Sequence, residues 1–487
     1  MAPAAAERPG SPPPRDVAAT GGSTPPTVPT TADLKTFLAH QRWFAGKNRT
    51  WQVTGVTHLG WLRAEPPAVR IALVTVGYDD GDTETYQLPL VYHDHAVETL
   101  LHVLVGQGDG PDGAPTYVFD ALHDKDATQL WWQGIASSSS GDGWEFHRDG
   151  TAEQLPPGGP SLVIGAEQSN TSLVFGDTAI MKVFRKVSPG LNPDIEIHTA
   201  LAAAGCAHIA TPLGWLQGRP PQPEVSLAMA QLFLRDATEG WELARTSVRD
   251  LYAEGDLHAD EVGGDFAGEA ARLGAATADV HDALARALPT GTLDAKELAA
   301  LADGMRERLE QAVAEVDLLA PFAPGLRGAF DDLRVLTAEV PVQRVHGDYH
   351  LGQVMRTLEG WKLLDFEGEP ARALESRRGL ESTLKDVAGM LRSFDYAARQ
   401  LLADHPADPQ REYRANEWAQ RNRDAFCRGY AEVSGRDPRE DAVLLRAYET
   451  DKAIYEVVYE ARNRPAWLGI PMSAVRRLAS HPTEGAP

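Results

Sequence analysis

The sequence predicts an α+β fold in two lobes, rich in strands up to about residue 234 and helical beyond it. Three observations carry this. Short apolar runs bounded by turn residues recur at Trp144–Arg148, Ser161–Gly165, Ser172–Gly176, Thr178–Phe184 and Ser226–Leu234, the length and punctuation of strands. From Asp265–Leu288 the spacing changes, with Leu273, Ala276, Val280, Leu284 and Leu288 three to four apart, the period of one helix face. Beyond these lies Val345–Glu369, which reads V-H-G-D-Y-H-L-G-Q-V-M, a short gap, then W-K-L-L-D-F-E-G-E. It sets Asp348 and Asp365 behind short apolar runs, and the rest of the chain is arranged around it.

The 487 residues leave room for a large core and two or three domains. With 46 basic against 69 acidic residues the net charge is −23, the wrong sign for a surface that tracks phosphates, so nucleic acid is not an expected partner. Cys206 and Cys427 stand alone, which makes neither a disulfide framework nor a zinc site and fits a reducing cytoplasm. No apolar run is long enough for a membrane span, and the start of the chain lacks the apolar core of a signal peptide. A monomer is expected.

In chain order, residues 1–31 mix Ala, Gly, Ser and Thr with eight prolines and read as a disordered tail. Residues 32–122 read as a small α/β unit. Its first helix begins near Asp33, a candidate cap, and strands follow at Val69–Val76 and Tyr86–Tyr92 around the acidic turn Asp79-Asp80-Gly81-Asp82. Trp43, Trp51 and Trp61 there suit a core better than a ligand platform. Residues 123–234 form the strand-rich lobe. Ser137–Gly143, S-S-S-S-G-D-G, is a linker or hairpin tip, and Gly176-Asp177 turns one strand into the next. Residues 235–487 are mostly helical, with helices expected at Leu293–Leu319, Leu326–Ala338, Leu384–Leu402 and Arg411–Val433.

The residues of Val345–Glu369 suit phosphoryl transfer. That chemistry needs a carboxylate to orient and deprotonate the attacking hydroxyl, and oxygen ligands for the Mg²⁺ that neutralises the triphosphate of ATP. The protein-kinase pattern H-R-D-x-x-x-x-N places its amide five residues after its aspartate. Gln353 follows Asp348 by five, and Asp365 stands where the aspartate of D-F-G would be. The plainer reading, two turn aspartates, rarely reproduces that spacing. Lys182 lies in an apolar strand, where an unpaired ammonium is costly. It is a candidate to reach the nucleotide phosphates, with Glu196 on the next helix to orient it. No G-x-G-x-x-G precedes it, so phosphate contacts fall to the backbone and hydroxyls of Ser169, Asn170 and Thr171. The strand Ser226–Leu234 leads into the link between lobes, where Gln231 and Leu234 would meet the adenine. His281 and Asp386 read as braces of the catalytic loop rather than as proton carriers.

The stretch D-K-A-I-Y-E-V-V-Y-E-A-R-N-R-P-A-W carries one more signal. At 100° per residue Ile454, Val457, Val458 and Ala461 share a helix face, opposite Lys452, Glu456, Tyr459 and Asn463. The helix must end before Pro465, with Trp467 just beyond. A merely solvated face is one reading. A sugar pocket, with hydrogen-bonding groups and an aromatic platform, is the other.

H-G-D-Y-H resembles the catalytic loop of the aminoglycoside phosphotransferase-like kinases. The longer R-V-H-G-D-Y-H-L-G-Q-V-M with D-F-E-G-E-P-A-R, and the C-terminal stretch, resemble those of the actinobacterial maltokinases over about residues 37–473. The resemblance implies a protein-kinase-like bilobal fold with an N-terminal cap, ATP and Mg²⁺ as cofactors, and maltose as acceptor. Asp348 would be the base, Gln353 and Asp365 the metal ligands, and Lys452, Glu456, Tyr459, Asn463 and Trp467 the sugar site. Maltose 1-phosphate would feed α-glucan and glycogen synthesis. The stretch after Glu369 has no A-P-E, so loop phosphorylation is not expected to regulate the enzyme. The alternatives are a kinase of another small molecule (another sugar, an aminoglycoside or a choline-like acceptor) and a non-catalytic nucleotide-binding regulator.

Overall fold

The computed structural model describes residues 28–110, 113–152, 154–164, 170–219, 224–254, 257–369, 373–403 and 408–480. Residues 1–27, most of the expected tail, lie outside them, but the last part of that tail belongs to the fold. Val28 is buried, and Thr30 caps the helix Thr31–His40. Asp33 is therefore not the cap itself. It sits at the third helical position and accepts from the Thr30 backbone N–H at 2.8 Å, completing a capping box.

The N-terminal unit is an antiparallel sheet in the order Trp51–Arg63, Ala68–Tyr78, Thr83–His93, Pro115–Asp120, Leu104–Asp109. Thr83–His93 alternates apolar residues along a pleated strand, and both of its faces are buried over Tyr86–Tyr92. One face packs on the first helix through Leu34 and Leu38, and on Phe44 just beyond it. On the other, Val69, Ile71, Val91 and Phe119 join one apolar cluster with Leu173, Phe175, Met181 and Val183 of the next sheet. The helix Lys125–Ser137, capped by Asp124, adds Trp131 to that cluster.

The strand-rich lobe is a seven-stranded sheet in the order Ser140–Gly141, Trp144–Arg148, Pro212–Gly218, Val225–Leu232, Ala179–Phe184, Asn170–Phe175, Ser161–Ile164. The strand Pro212–Gly218 was not anticipated, because its proline and two glycines obscure the apolar pattern. The sheet and its neighbour are joined directly. Just past Phe184 the chain crosses over, and Lys186–Val187 pairs with Thr85–Tyr86 of the N-terminal sheet. Gln87 donates from Nε2 to the carbonyls of Phe184 and Leu227, both at 2.8 Å. The buried ion pair Arg185–Asp120 closes the joint at 2.6 Å.

The second lobe is helical, as its spacing predicts. Gly240–Ala253, Ala267–Ala287, Ala295–Glu315, Ala323–Arg334, Leu384–Gln400, Pro409–Ser434, Ala442–Asn463 and Gly469–Ala479 pack around one core. No described helix is long and apolar enough to cross a membrane. The helix Ala442–Asn463 departs from expectation: Glu449, Glu456 and Glu460 are all buried. It runs through the lobe, where arginines of neighbouring helices meet Glu449 and Glu456, while Glu460 is held by Arg464 at its own C-terminal end.

Candidate active site

The loop carrying Asp348 hangs from one buried carboxylate. Asp386, in the first turn of Leu384–Gln400, accepts the backbone N–H of His346 at 2.7 Å and of Gly347 at 2.9 Å. Its Oδ2 also lies 3.1 Å from His281 Nε2, whose Nδ1 meets the Tyr430 hydroxyl at 2.9 Å. Burial pushes the Asp386 carboxyl up, but these hydrogen bonds and the neighbouring imidazoles hold it below the ordinary range. Gly347 takes φ +84°, a left-handed turn that glycine accommodates. A Cβ on Gly389 would come within 2.6 Å of the Tyr349 carbonyl, so glycine lets that helix lie against the loop. His350 accepts from Gly352 N–H through Nδ1 at 3.0 Å, and burial lowers its basicity, so it stands as a neutral cap rather than a cation.

Asp348, held by this frame, points at a cation. Lys452 Nζ donates to its Oδ1 at 3.1 Å and lies 3.7 Å from Glu369. Burial pushes the Asp348 carboxyl up, and Lys452, chiefly, pulls it below the ordinary range. It is therefore an acceptor at neutral pH.

On the other side of the loop the two lobes meet over a cavity of about 410 Å³. Strand alternation explains its wall: Ser172, Lys182 and Met229 are register partners, as are Ile180 and Gln231, and all five line it. Lys182 Nζ bonds Asp365 and Glu367, both at 2.6 Å, with Asp194 at 3.6 Å. Burial pulls the ammonium down, but the three carboxylates outweigh it and raise it well above the ordinary range. One ammonium cannot neutralise three acids, and Glu367 is the member pushed up, by burial first. Asp365 adopts φ +62°, rare outside glycine and the kind of strain functional sites hold.

This trio is the one group of close metal-ligating atoms among the described residues, its oxygens within 4.8 Å of one another. Gln353 Nε2 lies 3.3 Å from Asp365 Oδ2, and turning that amide over presents its oxygen instead. Hard oxygen donors with residual negative charge suit Mg²⁺, so the residues present fit the ion.

Three expectations for the nucleotide side need correction. Glu196 does not meet Lys182. Its carboxylate takes Arg344 at 2.5 Å and Arg378 at 2.9 Å, because Asp194, two positions earlier, occupies the inward face of Pro193–Ala203. Asp194 also accepts the Phe366 backbone N–H at 2.8 Å, which ties this helix to the D-F-E segment. Thr171 faces away from the cavity, where its hydroxyl accepts from Arg185 Nε at 2.8 Å. Leu234 is half-buried in the link and is not among the cavity's lining residues. Asn170 lines the cavity and donates to Glu367 at 3.3 Å, while Ser169 lies outside the described residues.

Two cavities flank Lys452 and Tyr455. One, of about 590 Å³, holds Asp348, Glu369, Glu297, Glu315 and Arg308 on its wall. The other, of about 360 Å³, is walled by Trp241, His350, Tyr396, Tyr459 and Trp467. Lys452, Glu456, Tyr459 and Trp467 thus come together, but Asn463 does not. It is exposed and donates to the Tyr459 carbonyl at 2.9 Å. Glu456 reaches the pocket wall with its carboxylate already engaged by Arg392, at 2.6 and 3.0 Å. Sequence reading missed Tyr455, which lies one turn before Tyr459 and stacks on it at 6.2 Å between centroids. It also missed Glu369 and Glu367, which sat unread inside the quoted motif.

Comparison with known proteins agrees with the fold. Residues 37–124 match the maltokinase N-terminal cap domain and residues 163–368 the phosphotransferase enzyme family. A glucosamine kinase of Streptacidiphilus jiangxiensis is 31% identical over 317 residues, 63% of this chain and 70% of that one. A second glucosamine kinase, of Mycolicibacterium smegmatis, is 27% identical over 339 residues, 66% of this chain and 80% of its own. Among solved structures, a glucosamine kinase in complex with glucosamine, ADP and inorganic phosphate superposes with TM-score 0.67. It is 23% identical and covers 91% of this chain and 98% of its own. Another crystal form of a glucosamine kinase gives TM-score 0.71 at 23% identity, over 95% and 100% of the two chains.

Proposed function

We propose, from the premise that this chain belongs to the phosphotransferase enzyme family of kinases, that it transfers the γ-phosphoryl group of ATP to maltose. The products are ADP and maltose 1-phosphate. The observation that carries the reading is the place of Asp348. It is an ionised carboxylate braced by Asp386 through the preceding residues, between the Lys182 cavity and an open cavity with an aromatic neighbour. Asp348 accepts the proton of the attacking hydroxyl, and Lys182 holds the triphosphate. Asp365 and Gln353, with Glu367 beside them, would hold Mg²⁺, which would supply neutralisation of the phosphate charge. Tyr455, Tyr459 and Trp467 offer aromatic surface to sugar rings. Maltose rather than another acceptor is supported by the resemblance of the catalytic and C-terminal motifs to maltokinases and by the cap family match.

A second acceptor, glucosamine, is favoured by both named relatives. ATP consumption by the purified protein against maltose, glucosamine, glucose and an aminoglycoside separates these, with phosphorus NMR of the product to place the phosphate. Turnover with glucosamine and none with maltose would replace the proposed acceptor. Nucleotide binding without turnover on any acceptor would favour a regulator.

A further inference from the structure

One polar atom in the nucleotide cavity has no partner. Gln231 lines the cavity, and its Oε1 is buried without a hydrogen bond. A buried acceptor left unpaired is costly, and a group placed so commonly awaits a ligand. Its position says which part of a ligand it would meet. On the sheet face Lys182 stands opposite Met229, and Gln231 lies two residues further along the same strand, about 7 Å towards the link between lobes. The face thus offers a cation at its inner end, for phosphates, and an amide at its outer end, for a base.

The backbone N–H groups just past Gln231, which could serve only the acceptor nitrogens of a base, are already engaged. The N–H of Leu232 donates to Thr211 and that of Phe233 to Thr178, both at 2.9 Å. Neither is free for a purine. A glutamine amide pairs well with adenine, whose exocyclic amine is a donor, whereas guanine presents a carbonyl oxygen at the same place. We infer that Gln231 is a specificity residue: Oε1 accepts a hydrogen bond from the exocyclic amine of adenine and selects ATP over GTP.

This inference rests on the nucleotide reading above, and its test separates the two. Calorimetric titration in the presence of Mg²⁺ would use ATP, GTP and purine riboside triphosphate, which lacks the amine. For the parent protein, loss of the amine should weaken binding about 10-fold, and GTP should bind more weakly still. In Gln231→Met, of similar shape with no acceptor for the amine, ATP should weaken while the purine analogue does not, closing the gap to within about 2-fold. Acceptor KM should not move. A parent that binds the purine analogue as tightly as ATP overturns the inference without any variant. So does a Gln231→Met protein that keeps the full preference, since the backbone would then read the amine. If the parent binds no nucleotide triphosphate at all, the proposed function fails first and takes this inference with it.

Discussion

Replacing Glu456 by alanine should unfold the helical lobe more readily, rather than merely weaken sugar binding. Its carboxylate receives Arg392 Nη2 at 2.6 Å and Nε at 3.0 Å, and the Arg392 side chain is 1% exposed. Removing one partner of such a buried pair costs about 3–5 kcal/mol, because the remaining charge has no water to turn to. Two features set the value near the lower end, about 3 kcal/mol. Arg392 keeps Asp395 at 2.7 Å on its third nitrogen, and Glu456 borders a cavity from which water can enter. Urea unfolding should therefore show a lower midpoint at unchanged slope. The double variant Arg392→Met with Glu456→Leu should recover much of the loss, since no guanidinium is then stranded. Asp395 retains Arg477 at 3.0 Å and Arg399 at 3.4 Å. An alanine variant with the parent's midpoint and only a raised acceptor KM would refute this, and would make Glu456 a sugar ligand.

The proposed roles of Asp348 and Asp365 should separate. Asp348→Asn should lower turnover by about 10²–10⁴ while Mg·ATP still binds, whereas Asp365→Asn should weaken metal-dependent nucleotide binding in calorimetry as well. Because Lys452 is what draws the Asp348 carboxyl below its ordinary range against burial, Lys452→Met should raise that pKa. The acid limb of the kcat profile would then move to higher pH. Asp386→Ala should strand two backbone N–H groups and an imidazole, costing about 3 kcal/mol in urea melts and slowing turnover. The folded Asp386 carboxyl titrates below its unfolded value, so its stabilisation is present above that value and is lost as pH falls through the folded pKa. The variant should accordingly lose less stability on acidification than the parent.

Much of the frame was legible because periodicity survives packing. The helices Ala267–Ala287, Ala295–Glu315, Leu384–Gln400 and Pro409–Ser434 and the strands around Gly176 fall where their spacing puts them, whereas Gly469–Ala479 was not read. That the residues of Val345–Glu369 converge was legible for a different reason: they are near in sequence. What failed was partner choice. Asp194 and Glu196 lie two apart at a helix start, about 200° around the axis, and sequence spacing cannot say which one turns inward. Glu456 was assigned to a polar face, but a helical wheel shows only the helix, not the Arg392 that packs against it. Thr171 could have been placed. Counting back from the Gly176-Asp177 turn sets Ser172 opposite Lys182, which sends Thr171 to the far side. Asn463 was read as a ligand from its face and from the family resemblance, but its amide turns back onto the Tyr459 carbonyl instead.

The strand crossing at Lys186–Val187 has a consequence for biogenesis. As the chain leaves the ribosome, the N-terminal sheet emerges with Thr85 and Tyr86 lacking their later strand partners and with the Gln87 amide unmatched. Its two carbonyl partners are 97 and 140 residues away in sequence. Until they arrive, part of Thr83–His93 is an open edge, the kind of surface that pairs with other chains. The isolated N-terminal unit should therefore be prone to aggregate. A fragment extended through Leu232 should be the first to remain in solution, since it alone brings every strand that seals that edge. Maturation of the nucleotide-binding half is in this sense a single late event, completed when the strand that carries Gln231 arrives.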